Sequence, residues 1–561
     1  MAGYPRKMSW WCLVAVFFST LMTLDARNRT EISLFNNTWT NFTLGSGDTL
    51  DVTLSNISVN SSFAMLHVHA IHTSVVGSLA PDYHTYTSVN SSDVGLLTLL
   101  EKGQSSVTWF VNSTRNETDG TKVWMMALEY NASDPIPGAC NQEFPLENDP
   151  NIHVHYNLYE TIVQFQFSNV GFPRQPKGIP ECDQGSSGDH RLKYDVYQYY
   201  LPEHDFSEAS LVQGLKRMTH PADIIANGHL IRTLDSKKKP NMTLASFKGQ
   251  GVIYNVIVRD PKLNTSASYI PVHTYACSFT DTVAGCFANN DVAKALSTIA
   301  GVIGLFLCFT GHRYFKTELF IFGFLATMLI TFILISMYSD ESHAVCVGIS
   351  CMVGAVGGIL WTLFWWRFGL AVLSVLLVGL VLGYMFASII FFTPFGNLNV
   401  WLNDFNYGMS FACGIMIIPV FLLAFTKTLS IVSCSVIGSY AVILALDAYL
   451  YTCLSYIALN PIKRAVAQDF RVAVISAPFQ VKDYVLVALW VLLSILGAVS
   501  QFYRERGRED FPPCPYELYR KKRQESLPQP NIQQPDQQDR EETEPLLSNQ
   551  EAPTYVINHV T

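Results

Sequence analysis

The stretch Asn264–Arg313, NTSASYIPVHTYACSFTDTVAGCFANNDVAKALSTIAGVIGLFLCFTGHR, carries the chain from one solvent to another. It opens on the last of eleven Asn-x-Ser/Thr sequons, passes Cys277 and Cys286, and runs into the first long apolar segment. No sequon follows it. The acceptors are Asn28, Asn36, Asn41, Asn56, Asn60, Asn90, Asn112, Asn116, Asn131, Asn241 and Asn264. N-linked glycans are added only to chain in the secretory lumen, so the one-sided distribution places everything before the apolar segments on the lumenal, extracellular side. A single sequon arises by chance and says little; eleven on one side define a topology.

The N-terminus agrees. Arg6 and Lys7 precede an apolar stretch from Met8 to Leu24, which reads as a signal peptide over residues 1–26. Ala26 suits the residue before a cut, whereas Leu24 is large for the position two before it, so an uncleaved signal anchor is the alternative. Either way Arg27 onward is lumenal. The chain has 561 residues, 15% of them charged, and its mean hydropathy is positive, which fits a membrane protein with one soluble half. A net charge of −8 speaks against a nucleic-acid partner.

Of twelve cysteines, only Cys140, Cys182, Cys277 and Cys286 are oxidised in context, even in number and free to pair. Three pairings are possible. Cys140–Cys182 with Cys277–Cys286 is favoured because it keeps each bridge within its own part of the lumenal half. Loop-closure arithmetic gives the longer bridge roughly 4 kcal/mol and the shorter about 2.5.

From Arg27 to about Asp291 the periodicity is nearer two than 3.6, which predicts an all-β ectodomain of two β-sandwich subdomains. Candidate strands are Phe63–His69, Val107–Val111, Lys122–Tyr130, Thr161–Phe167, Leu192–Tyr200, Gly251–Val258 and Ser268–Tyr275. The Pro- and Gly-rich run from Gly171 to His190 cannot hold a sheet interior and suggests a boundary, giving subdomains at 27–175 and 176–291. One helix is expected over Glu208–Met218 with Ser207 as N-cap. His67, His69 and His72 have the look of metal ligands because residues two apart on a strand share a face. No carboxylate or thiolate sits at ligand spacing beside them, so they read as strand-surface histidines. No G-x-S-x-G occurs in this half, so no hydrolase is indicated.

Residues 292–503 read as an all-α bundle of seven transmembrane spans near 292–311, 317–338, 343–365, 369–392, 407–426, 428–450 and 483–503, each long enough for a ~30 Å hydrocarbon core. Seven crossings put the C-terminus in the cytosol. His312, Arg313, Lys316, Arg367, Lys427, Arg504, Arg506 and Arg508 then fall inside, with Asp340 and Glu341 outside, as the positive-inside tendency requires. One loop disobeys: Lys463, Arg464 and Arg471 lie outside. There Ile462, Val466, Phe470 and Val474 recur at helical spacing with the cations opposite, predicting a helix on the membrane surface or on the ectodomain.

Glu318 and Asp447 lie near span ends, where a bundle-end hydrogen bond is the expected use. Gly354, Gly357, Gly358, Gly379 and Gly383 should let helices approach closely. A seven-span zinc hydrolase needs intramembrane histidines, yet before the tail this half has only His312 and His343, at loop positions. The same lack disfavours a rhomboid-like protease built on Ser350. A rhodopsin-type receptor would need Asp/Glu-Arg-Tyr where Trp365-Trp366-Arg367-Phe368 stands. No metal, cofactor or catalytic residue is expected.

The tail, 504–561, reads as cytosolic and, from Glu509, disordered. Glu542, Leu546 and Leu547 form an acidic-dileucine pattern of the kind a clathrin adaptor reads. Arg504–Arg508 and Arg520–Arg523 could meet anionic membrane lipid.

Several stretches together, YDVYQYYLP at Tyr194–Pro202, GQGVIYNVIV at Gly249–Val258, YACSF at Tyr275–Phe279, WWRFG at Trp365–Gly369 and RERGR at Arg504–Arg508, resemble the transmembrane seven superfamily member three family from about Asp134 to Pro515. The resemblance implies a multi-pass glycoprotein of the cell membrane, with endolysosomal, endoplasmic-reticulum or nuclear-envelope membranes as further residences. It also implies a pro-survival role that attenuates endoplasmic-reticulum stress and the unfolded-protein response, linked to protection from cytokine-induced death and to insulin secretion in pancreatic beta cells. It supplies no catalytic residues and no ligand. The alternatives are an orphan seven-span receptor with an ectodomain ligand and a lipid or solute transporter or scramblase that uses the bundle itself.

Overall fold

A computed structural model describes residues 29–525, apart from 46, 114–119, 158, 175–180, 183–189, 238–239, 280–284, 287–290 and 340–341. The expected signal, the sequons at Asn28 and Asn116, and Glu542, Leu546 and Leu547 lie outside the described residues.

Residues 29–131 form two packed sheets. One contains, in spatial order, Arg29–Leu34, Thr49–Ser55, Ser106–Ser113, Val75–Ser78 and Ser88–Ser91; the other Thr40–Leu44, Thr121–Asn131, Ser61–Ala70 and Asp93–Leu99. The first two strands of the five-stranded sheet run parallel. Between the sheets lie Leu34, Leu50, Val52, Trp109 and Val111, facing Ala64, Leu66 and Val68. The alternate residues of that last strand, Phe63 and Met65, point the other way, into a core shared with Ile136, Phe165, Tyr194, Val256 and Tyr269 of the next domain. Ser61–Ala70 is therefore buried on both faces. That is why its sequence, SSFAMLHVHA, lacks a clean apolar-polar alternation.

The division expected at 175/176 belongs elsewhere. Ile136–Cys140 pairs with Phe167–Asn169, and Glu160–Gln164 pairs with Asn241–Ala245, so the chain enters its second β domain between Asn131 and Ile136. Pro and Gly around Gly171 mark a place where no sheet interior can form, but composition does not separate a loop within a domain from a linker between domains. Both disulfides, Cys140–Cys182 and Cys277–Cys286, thus staple the second domain. Its main sheet centres on Lys193–Tyr200, between His229–Asp235 and Val252–Asp260. The strand expected over Ser268–Tyr275 is broken into Thr265–Ser268 and Val272–Thr274, with Pro271 between them unable to donate to the ladder. Helix α1, Glu208–Arg217, starts where Ser207 accepts from the Ser210 N–H at 3.4 Å, and α2, Pro221–Asn227, follows.

The helical half contains α3 (Asp291–Thr310), α4 (Phe315–Tyr338), α5 (His343–Phe368), α6 (Ala371–Phe392), α7 (Asp404–Leu422), α8 (Thr426–Leu450), α9 (Tyr456–Val466), α10 (Val481–Arg504) and α11 (Pro515–Glu525). Among the described residues six apolar helical runs are long enough to cross a membrane, and one of them, Asp404–Leu450, has 47 residues. A straight helix of that length would span about 70 Å, more than two bilayer cores. It instead folds back at Leu423–Phe425. Gly379 on α6 faces both Pro419 of α7 and Leu429 of α8, so the two helices into which this run folds both pack against α6. A Cβ at Gly383 would lie 2.0 Å from the Ile415 carbonyl, and one at Gly358 would lie 2.6 Å from that of Phe320, so these glycines serve close helix approach as their spacing predicts.

The tail departs from expectation near its start. Pro515–Glu525 is helical, and Arg367 lies 4.2 Å above the Tyr516 ring, which anchors α11 to the end of α5.

Candidate functional site at the junction of the β region and the helices

The segment between α8 and α10 joins the two halves. In α9, Ile457, Asn460 and Lys463 recur every three residues and form the buried face. The sequence pattern placed Lys463 with the solvent-facing cations; it lies inside. Its Nζ donates to the carbonyls of Ser246 at 3.1 Å and Tyr159 at 3.4 Å, and it sits 4.6 Å from the Tyr456 ring centroid and 5.7 Å from that of Phe470. Burial pushes the ammonium down to about 8. A long flexible stem lets a lysine bury its methylenes and still find oxygen, so an amphipathic count that treats every cation as solvent-facing misplaces it.

The other two cations of the loop are also engaged. Arg464 stacks 3.9 Å over Tyr407 and donates to the Trp401 carbonyl, and Arg471 pairs with Asp404 at 2.8 Å. The loop that breaks the positive-inside pattern therefore spends its charges on contacts within the protein. Beyond the 3-10 turn Asp469–Val472 the chain adds itself to the edge of the strand Asn241–Ala245: Val474 N–H donates to Thr243 O at 2.9 Å and Ala245 N–H to Val474 O at 3.1 Å. Gln480 Nε2 donates to Leu201 O at 2.9 Å, Tyr200 hydroxyl to Ser476 O, and Lys482 pairs with Glu203 at 2.9 Å. Asp483 caps α10 with Gln480 and accepts from the Cys453 N–H at 2.8 Å. A cavity of about 20 Å³, room for a single water, lies among Glu203, Gln250, Thr452, Cys453 and Asp483.

The seam between the two β domains holds a second cluster. Asp93, almost wholly buried, accepts from His69 Nδ1 at 2.7 Å, His273 Nδ1 at 2.9 Å and the His273 N–H at 3.0 Å. Burial alone would raise the Asp93 carboxyl, but His273 and His69 outweigh it and hold the group below the ordinary carboxylate range. His67 is fully buried with neither ring nitrogen hydrogen-bonded. Its pKa falls well below 6.5, through burial first and then His69 and His220. The His72 ring lies tilted against Phe279, with the ring centroids 3.8 Å apart. The strand-surface reading of these histidines is thus corrected: they lie in or against a domain interface. Asp93 and His273 escaped sequence reasoning because their partners are 24 and 180 residues away. Among the described residues no group of three or more His, Cys, Asp or Glu is arranged to hold a metal.

Of the sequons, Asn36, Asn41, Asn56, Asn60, Asn90, Asn131, Asn241 and Asn264 are exposed on the β region and Asn112 is half-buried. In the bundle, Asp447 accepts from Thr452 at the α8 terminus, the bundle-end use expected for it. Glu318 is wholly buried, with Ser430 donating to it at 2.6 Å.

Three family models match: the TM7SF3-like N-terminal immunoglobulin-like domain over 30–130, the TM7SF3-like second immunoglobulin-like domain over 135–280, and the TM7S3/TM198-like domain over 297–502. Their edges agree with the crossing between Asn131 and Ile136. Transmembrane 7 superfamily member 3 of Mus musculus is 41% identical over 489 residues, covering 87% of this chain and 86% of that protein. Its counterpart in Rattus norvegicus is 42% identical with 84% of each covered, and that in Homo sapiens 40% identical with 84% and 83% covered. Among solved structures, a beta-1,2-glucanase from Parabacteroides distasonis aligns at 10% identity with a TM-score of 0.13, over 49% of this chain and 34% of that one. A likeness at that level carries no argument.

Proposed function

The chain belongs to the transmembrane 7 superfamily member 3 family, and from that premise we propose that it is a non-enzymatic glycoprotein of the cell membrane and internal membranes, N-terminus outside, that promotes cell survival by damping endoplasmic-reticulum stress. The observation that carries the reading is the clamped outer loop. Lys463, the Val474 bridge and Gln480 tie an outer β region to the bundle, so a change sensed outside is delivered to the helices as movement of one body. Buried polar groups at this junction are used for attachment, and the loops joining the helices are short, which favours a sensing or scaffolding role over catalysis. The alternative of an orphan receptor with a β-region ligand draws support from the same coupling.

Orientation follows from the sequons, whose described asparagines stand mostly exposed. The signal at 1–26 delivers the chain to the lumen, and Glu542, Leu546 and Leu547 provide a cytosolic adaptor site for traffic. Glycopeptide mapping is expected to find occupied acceptors only between Asn28 and Asn264, with the C-terminus protease-sensitive from the cytosolic side. An occupied asparagine beyond residue 300 would overturn the topology. Cells lacking the protein are expected to show a stronger unfolded-protein response under stress, restored by the intact chain; an unchanged response would end the homeostatic reading.

A further inference from the structure

Glu318 begins the second crossing helix, one turn into α4, and no part of it reaches solvent. Its Oε1 lies 2.6 Å from the Ser430 hydroxyl of α8, while Oε2 has no hydrogen-bond partner. The other titratable neighbours are the thiols of Cys434 on α8 and, beyond it, Cys308 on α3, both weak donors. Among the described residues no cation pairs with it. Lys427, a basic side chain at this end of the bundle, is held by the carbonyls of Glu505 and Arg508 at 3.1 Å each and by Asp510 at 3.3 Å. An ionised carboxylate in such a place, with only a serine hydroxyl and the weak Cys434 thiol as donors, carries a desolvation cost of several kcal/mol that nothing nearby offsets.

Ser430 touches a third group. His312, in the turn between α3 and α4, places Nδ1 2.8 Å from the Ser430 hydroxyl, and its backbone N–H donates to Gln501 Oε1 at 3.0 Å. Gln501 is fixed in turn by its donation to the Cys308 carbonyl at 2.7 Å. The His312 ring, itself buried, lies at the end of the bundle beside Phe511, hydrogen-bonded to the Asp510 backbone and within electrostatic reach of Glu505 and Lys427. Ser430 has one hydrogen to give. If it goes to Glu318, His312 Nδ1 must carry a proton to complete the second contact; if it goes to His312, Glu318 must carry one. Either arrangement places one shared proton in the chain of three.

We propose that Glu318 is a proton-binding site inside the helix bundle, filled at neutral pH and connected to one membrane face through Ser430 and His312. Release is a hop in which Glu318 passes its proton to the Ser430 oxygen while Ser430 passes its own to His312 Nδ1. This leaves a carboxylate and an imidazolium, which then loses a proton to water at the bundle end. Atoms and charge balance, and no co-reactant is required. The assignment stands on this geometry and not on the reading of the protein as a survival factor.

The test is infrared spectroscopy of the full-length protein in lipid nanodiscs, compared with Glu318→Gln, whose amide mimics a protonated carboxyl in shape and charge. The wild type is expected to show the carbonyl stretch of a protonated carboxylic acid at pH 7, shifted by deuterium oxide, bleached at alkaline pH and lost in Glu318→Gln. The glutamine variant is expected to keep the wild-type thermal midpoint while Glu318→Ala lowers it. In Ser430→Ala the band is expected to persist but to exchange its deuterium more slowly. A wild type with no such band at pH 7, or one whose midpoint rises with sodium in a Glu318-dependent way, overturns the proton in favour of a carboxylate with a counter-ion. Unchanged exchange in Ser430→Ala overturns the relay, and the wild-type pH titration decides the site even if a variant fails to fold.

Discussion

The β-domain seam and the helix bundle each bury a carboxyl group almost completely, Asp93 and Glu318, yet they stabilise it in opposite ways. Asp93 receives two imidazoles and a backbone N–H, so its negative charge is matched where it sits. Glu318 receives one serine hydroxyl. Sheets offer a seam between two separately folded layers, where side chains from distant parts of the chain converge. Helices packed through glycine, alanine and serine leave little room for a second long polar partner, so neutralising the group costs less than pairing it. The difference teaches that burial of an acid does not by itself say whether it is charged; the partner set does.

The largest effect expected from this comparison is on Asp93. Asp93→Ala removes the acceptor for His69 and His273 together and leaves two buried imidazoles facing each other. A loss of about 3–5 kcal/mol is expected, the range for breaking a buried pair from one side. Hydrogen exchange in the strand Ser61–Ala70 of the full-length protein should accelerate accordingly. Glu318→Gln, by contrast, should cost little. Equal losses from the two variants would break the comparison outright.

Much of this molecule could be read from residues. The 20-residue apolar runs and the period-two segments predict elements that the structure contains, because each depends on local chemistry repeated along the chain. What escaped depends on long-range geometry. Asp93 meets His273 across 180 residues, and Lys463 meets Ser246 across 217, and no local pattern marks either contact. The break near Gly171 was visible as composition but not as topology, since only the pairing of Glu160–Gln164 with Asn241–Ala245 shows to which domain the preceding strands belong. Glu318 was legible as an unusual residue in an apolar run; its connection through Ser430 to His312 required three helices to be placed.

Lys463 tests whether charge at a junction behaves like charge in the seam. Its ammonium is compensated by two carbonyls and two ring faces rather than by a carboxylate, and burial has lowered its pKa to about 8. Lys463→Ala leaves those carbonyls without their donor and opens the space under Tyr456. A cost of about 3 kcal/mol is expected, the upper range for a lost charge-assisted hydrogen bond. The effect should appear as faster exchange in Asn241–Ala245 and in α9 while the domain seam stays protected. If exchange rises equally in both places, the junction and the seam are one cooperative unit, and the clamp is not a separate element.

Acid should give the smallest effect and the most specific one, because it separates the two groups of the seam. His67 is held neutral: burial, then His69 and His220, depress its pKa below 6.5. As pH falls through 6.5 the unfolded chain takes up a proton that the folded chain refuses, so the contribution is present above that pH and is lost progressively below it. At pH 5 the loss from this one residue is about 2 kcal/mol if its protonation in the folded state is fully suppressed. Asp93 does not contribute in this window, because its pKa is held below the ordinary carboxylate value and its share is lost only at much lower pH. The expected outcome is a lower thermal midpoint at pH 5 than at pH 7 for the full-length protein, with exchange rising first around Ser61–Ala70. His67→Leu, which keeps an apolar side chain of similar size in a site that satisfies neither ring nitrogen, should flatten that dependence without weakening the seam at pH 7. If the variant keeps the full acid sensitivity, the response arises elsewhere than at His67.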